Sequence, residues 1–197
     1  MLAVCGWAIP LCGHLLRMNL AALQHLVRSV RTLAQNHKMI VLGSASLLAS
    51  FPDLGDGTEP LAATYDADLC PQPFDEATAI MIHESLGESG AFHLQYGYHV
   101  DVLRDSIFET LPPGWRTRLL QVPECEGAYA LEPHDLAATK LLVGRDKDIA
   151  LVRHLFVTGR LTMALVEQRL NSIPKTESLI VRSGEALARA ISSEPSC

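Results

Sequence analysis

Apolar positions recur along the chain with two periods, and the switches between them mark out the elements. From Asn19 to Gln35, the residues Leu20, Leu23, Val27, Val30 and Ala34 fall three or four apart. That spacing forms one face of a helix, which Asn19 can cap. Met39-Ile40-Val41-Leu42 is an unbroken apolar run that reads as a strand and turns sharply at Gly43-Ser44. A short apolar helix from Ala45 to Phe51 follows. Pro52 to Pro60 then holds three acidic residues, two glycines and two prolines, the composition of a loop. A second strand ends in Thr64-Tyr65-Asp66-Ala67-Asp68-Leu69 and is stopped at Pro71 and Pro73.

Asp75 is placed to cap a helix reaching about Leu86, with Ala79, Ile82 and Leu86 as its buried stripe, and Gly87 to Gly90 form a turn. Phe92 to Val102 alternates and predicts a strand. Phe92, Leu94, Tyr96, Tyr98, Val100 and Val102 share one face, and His93, Gln95, His99 and Asp101 the other. After a turn at Leu111 to Trp115, Trp115 to Val122 predicts another strand, with Arg116 and Arg118 on one face, and Ala128 to Leu131 a short one. The rest is helical. Pro133 suits a first helical turn, Leu136, Lys140 and Val143 lie on one side, and Gly144 ends that helix. Arg145-Asp146-Lys147-Asp148 opens the next, whose apolar face runs through Leu151, Leu155 and Phe156. Two more helical stretches, Gly159 to Leu170 and Lys175 to Ile191, are separated by Pro174. The expected fold class is α/β (α+β): a small mixed sheet flanked by helices, with a helical C-terminal part. One domain is expected over residues 18–192, with its core in 37–131 and the helical part in 132–192.

Composition changes this picture little. The 197 residues, 48% hydrophobic and 19% charged, are those of a globular protein, and no apolar run is long enough to span a bilayer. The net charge of −6 argues against a surface generally coated by nucleic acid. Charge is uneven: residues 1–139 hold 7 basic and 16 acidic residues, a net of −9, whereas 140–197 hold 9 and 6, a net of +3. Solvated helices explain the asymmetry, as does an anionic ligand near the basic half. Five cysteines, with no Cys-x-x-Cys pair, form neither a disulfide framework nor a zinc site and suit a reducing, cytoplasmic setting. His83, His93 and His99 lack metal-ligand spacing and read as surface or interface histidines. Residues 1–17 are apolar without the basic start of a signal peptide, and the helical pattern begins directly after Met18. They are read as a non-native or disordered extension.

The candidate chemistry gathers in three places. Period-2 geometry puts Asp66 and Asp68 on the same strand face, and two carboxylates that close call for a cation between them. Mg²⁺ commonly takes one or two carboxylates together with substrate phosphates. Gly43-Ser44 would present backbone N–H groups and a hydroxyl to a phosphate. Asp101 either marks the solvent face of its strand or supplies a third carboxylate. Lys140, on an otherwise apolar helix face, needs an anion: Asp148, the Asp66/Asp68 pair or a ligand phosphate.

Leu42-Gly43-Ser44, then Asp66-Ala67-Asp68, then His99-Val100-Asp101-Val102 resemble the nucleotidyltransferase superfamily, the fold of DNA polymerase beta. Its pattern is an apolar strand ending in Gly-Ser, an Asp-x-Asp strand, and a third carboxylate on a later strand. Glu132-Pro-His-Asp-Leu-Ala-Ala-Thr-Lys-Leu141, followed by Gly144-Arg-Asp-Lys-Asp148, is similar to a bacterial group of nucleotidyltransferase-like proteins related to AbiEii-type toxins. Where those strands carry Ser-x-Asp, this chain has Thr64-Tyr65-Asp66. The resemblance covers about Met18 to Leu170. It implies that Asp66, Asp68, Asp101, Lys140 and Asp148 are catalytic, and that Asp66 and Asp68 hold Mg²⁺ or Mn²⁺. It further implies that Gly43, Ser44, Lys140 and Arg145 bind the nucleotide.

The leading expectation is therefore Mg²⁺-dependent transfer of a nucleotidyl group from an NTP to an acceptor hydroxyl. By family analogy the acceptor is tRNA or another RNA, with an antitoxin as protein partner and no membrane. The alternative is a catalytically degenerate module of the same fold that binds a partner. A metal-dependent phosphohydrolase using the same carboxylates is the third reading.

Overall fold

The structure is a computed structural model and describes residues 17–192. The expected extension falls almost wholly outside the described residues. Met18, at its boundary, is fully buried, and its N–H donates to the Thr64 carbonyl at 2.9 Å.

Five strands form one mixed sheet in the order β3-β2-β1-β5-β4. They are β1 (Lys38–Val41), β2 (Asp66–Gln72), β3 (His99–Val102), β4 (Leu120–Gln121) and β5 (Ala128–Ala130). Central β1 runs antiparallel to β2 and parallel to β5; β2 and β3 are parallel, and β4 and β5 antiparallel. Among the described residues seven α-helices surround it: α1 (Leu20–Leu33), α2 (Glu76–Leu86), α3 (Ala91–Tyr96), α4 (Pro133–Val143), α5 (Asp146–Val157), α6 (Met163–Ser172) and α7 (Glu177–Ile191). This is the expected mixed α/β arrangement.

The elements form where local chemistry favours them. The Asn19 side chain accepts the Ala22 N–H at 2.9 Å and starts α1, which buries Leu23, Leu26, Val27 and Val30. Asp75 caps α2 through the Thr78 N–H at 2.8 Å, and Ala79, Ile82 and Leu86 are its buried stripe, as the spacing predicts. Glu132 caps α4 by accepting the N–H groups of His134 and Asp135, with Pro133 in the first turn; Gly144 ends the helix at a left-handed φ of 72°. Met39, Val41, Ala67, Leu69 and Val100 belong to a contiguous apolar core that also contains Leu26, Leu47, Leu141 and Val152.

Three expectations are corrected. The predicted strand from Phe92 to Val102 is split: Ala91–Tyr96 is α3, and only His99–Val102 is strand. Gly90 precedes the helix and Gly97, at φ 78°, closes it, so Phe92 and Tyr96 come four apart on one turn and pack against His25 and Tyr98. Leu94, expected on the same face as Phe92 and Tyr96, is 81% exposed. The strand expected from Trp115 to Val122 is a 3₁₀ turn, Trp115–Arg118, followed by the two residues of β4. Its arginines separate: Arg116 stacks over Trp115, whereas Arg118 reaches the buried Asp135 with N–O distances of 2.8 and 3.0 Å. Finally, β2 continues through Pro71 to Gln72. Beyond Leu69 it has no β3 partner, so it is an edge on that side, where a proline is tolerated.

The helical part is fastened to the sheet region by polar ties. Asp135 is fully buried and also meets Arg169 of α6 at 3.3 Å. His134 links α4 to the start of α6: its Nδ1 is 2.6 Å from Glu132, and its Nε2 accepts the Thr162 N–H at 3.1 Å. No helix among the described residues is long and apolar enough to cross a membrane.

Candidate active site

The site is assembled at the β2–β3 pair. Strand register places Asp68 directly beside Asp101 and Asp66 beside His99. With Asp66 and Asp68 on one face of β2, three carboxylates converge, and one oxygen from each lies within 4.8 Å of the others. Asp68 is largely enclosed. Burial, reinforced by the charges of Asp66 and Asp101 and partly offset by Lys140 and Arg145, pushes its carboxyl up to about 6.

Gly43 makes that position possible. A Cβ at Gly43 would collide with the Asp68 carboxylate oxygen. The glycine expected to greet a phosphate therefore also provides the space that lets Asp68 lie against the β1 turn. Gly43→Ala is expected to swing the Asp68 carboxylate out of the cluster and weaken Mn²⁺ binding at least tenfold, since fixed geometry governs such sites. Calorimetry with Mn²⁺ measures this; unchanged affinity would mean Asp68 is not held by that contact.

A cleft of about 690 Å³ opens over the carboxylates. Its lining includes Ser44, Asp66, Asp68 and Asp101 from the sheet region and Lys140, Arg145, Lys147, Asp148 and His154 from the helical part. Lys140 is thus on the carboxylates' side of the sheet, as the sequence requires of a shared site. Of the three anions open to it, Asp148 is the one it bonds: Nζ to Oδ1 is 2.6 Å. The other Asp148 oxygen receives the Arg145 Nε at 2.5 Å. Burial raises the Asp148 carboxyl, but the hydrogen bonds from Arg145 and Lys140 outweigh it and hold the group below the usual carboxylate range. Asp148, 1% exposed, therefore stands between two cations.

Lys147 and His154 were not singled out from the sequence. Lys147, Leu151 and His154 recur four and three apart along α5, so the stripe that packs Leu151 also lines the cleft. His154 pairs with Glu59 at 3.1 Å, joining α5 to the loop ahead of β2.

Three hard oxygen donors clustered this closely, one pushed up by burial and by its neighbours' charge, fit a divalent metal ion such as Mg²⁺ or Mn²⁺. Residues 18–185 match the family described as "Nucleotidyltransferase of unknown function (DUF6036)". The chain belongs to this family. In this chain the three carboxylates come from the neighbouring strands β2 and β3. Searches of curated proteins and of solved structures found no match.

Proposed function

We propose that this nucleotidyltransferase transfers a nucleotidyl group from an NTP to an acceptor hydroxyl, with a divalent ion held by Asp66, Asp68 and Asp101. The observation that carries the reading is the juxtaposition of three carboxylates with Lys140 and Arg145 across one cleft. A divalent ion there would supply charge stabilisation at the phosphates. Arg145 uses its Nε on Asp148 and keeps its terminal nitrogens, on a side chain 57% exposed, for phosphate oxygens. Lys140 likewise retains two N–H donors after bonding Asp148. Ser44 lies at the cleft wall with its hydroxyl available to a phosphate.

The acceptor oxygen attacks the α-phosphorus, the bond to pyrophosphate breaks, and the acceptor proton passes to Asp101, whose side chain is 49% exposed. Asp148 enters as a positioning residue: it touches neither substrate nor metal, but fixes the two cations that do touch phosphate.

The test combines binding with turnover. Millimolar Mg²⁺ together with an NTP should raise the melting temperature, because a ligand that binds only the folded state stabilises it by mass action. Labelled NTPs offered total RNA, and separately a small-molecule extract, should yield a labelled product. Labelled RNA would support the RNA acceptor and toxin-like role that the resemblance implies. An unmoved melting temperature with no transfer would favour the catalytically degenerate binding module.

A further inference from the structure

A second cavity, about 230 Å³, adjoins the polar cleft across four residues that line both: Asp68, Lys140, Arg145 and Asp148. Its character is opposite. Its body is aliphatic, built from Leu103, Ile107, Leu111, Leu131, Leu136 and Val143. The one other polar side chain in the lining is Thr139, whose hydroxyl donates to the Asp135 carbonyl at 3.0 Å. One stripe of α4 serves both chambers: Lys140 bonds Asp148 at the shared wall, and Leu136 and Val143, on either side of it, form the apolar wall. Val143 is 47% exposed. Apolar surface thus remains open beside the charged centre.

Size and lining together limit the occupant. Whole-ligand pockets run from about 300 to 1,000 Å³, so this cavity takes one part of a ligand. A nucleobase brings several polar edge atoms, and each one desolvated without a partner costs about 1–3 kcal/mol. Away from the wall shared with the polar cleft, the aliphatic lining offers those atoms no side-chain partner. A compact saturated group loses nothing there and gains from leaving water. The shared wall would hold such a group next to Asp68, where the reacting atoms of the proposed transfer meet.

We infer that this cavity binds a compact apolar group of the acceptor, adjacent to its attacking hydroxyl, so that the acceptor is a small molecule with an apolar body. The inference rests on the nucleotidyl-transfer reading for the identity of the bound group as acceptor.

The experiment uses the full chain with ¹³C-labelled Ile, Leu and Val methyls. It is titrated with cyclohexanol and, separately, with adenosine, while Mg²⁺–nucleotide binding is followed by calorimetry. Cyclohexanol should shift the Ile107, Leu111 and Leu136 methyls saturably, and adenosine should not. Val143→Trp and Ile107→Trp fill the cavity from partly exposed positions. Each should weaken cyclohexanol binding at least tenfold and leave Mg²⁺–nucleotide binding unchanged; two variants guard against misfolding of one. Adenosine shifting these methyls at or below the cyclohexanol concentration, or no saturable shift with cyclohexanol, would overturn the inference. Apolar binding without nucleotide binding would keep the subsite and sink the transfer reading. Nucleotide binding with an unresponsive cavity would do the reverse.

Discussion

Asp68→Asn is expected to lower nucleotidyl transfer by roughly a hundredfold or more, while making the metal-free protein more stable than wild type above pH 6. Charge stabilisation at a phosphoryl centre is worth several kcal/mol, and the substitution removes a ligand charge with almost no change of shape. The stability effect follows from linkage. In the fold the Asp68 carboxyl is raised to about 6 from an ordinary 3.8. Below about pH 4 it is protonated in both folded and unfolded chains, and its favourable folded environment is fully present. As pH rises through 6, the unfolded chain gives up its proton first, and stability is lost, on the order of 2–3 kcal/mol. Asparagine never ionises and escapes that loss. Thermal melts in chelator at pH 4.5 and pH 7.5 should show a gap between variant and wild type that opens with pH. A constant gap would refute the crowding of Asp68 by burial and like charge, and undiminished transfer would remove Asp68 from the mechanism.

Asp148→Ala should have the opposite signature, with stability and activity falling together. The Asp148 carboxylate is shared by a buried ammonium and a guanidinium, and removing one partner of a buried ion pair typically costs about 3–5 kcal/mol. For a chain of this size that corresponds to a melting temperature lower by roughly 6–20 °C. The double variant Lys140→Met with Asp148→Leu replaces the buried pair by apolar groups of similar size and should recover most of the stability, without recovering nucleotide binding. Equal melting temperatures for the single and double variants would show that the cost lies in local packing of α5 and not in the orphaned Lys140 charge.

The clustering of the candidate residues was more legible in the sequence than the elements around them. Asp66 and Asp68 share a face because strand alternation requires it, and Lys140 met an anion because an ammonium on an apolar stripe must. Which anion it met was not legible, since eight residues and a helix break separate Lys140 from Asp148. Asp101 was found on a misdrawn element. Alternation of aromatics from Phe92 onwards suits a strand, yet Gly90 and Gly97 bracket a helical turn, and packing against His25 decided the outcome. The buried group Arg118–Asp135–Arg169 left no local trace at all. Its members come from a 3₁₀ turn and two helices, and only the tertiary fold brings them together.

The strand order also governs how this chain emerges during synthesis. The antiparallel neighbour of β1, strand β2, begins at Asp66, but its parallel neighbour β5 begins only at Ala128. At about 5–20 residues per second, the interval between them lasts on the order of 5–20 s. Throughout it, Met39, Ile40 and Val41 present a bare apolar edge, the kind of template on which nascent chains associate. Chaperone demand on the ribosome is therefore expected to peak before residue 128 emerges and to fall once β5 docks.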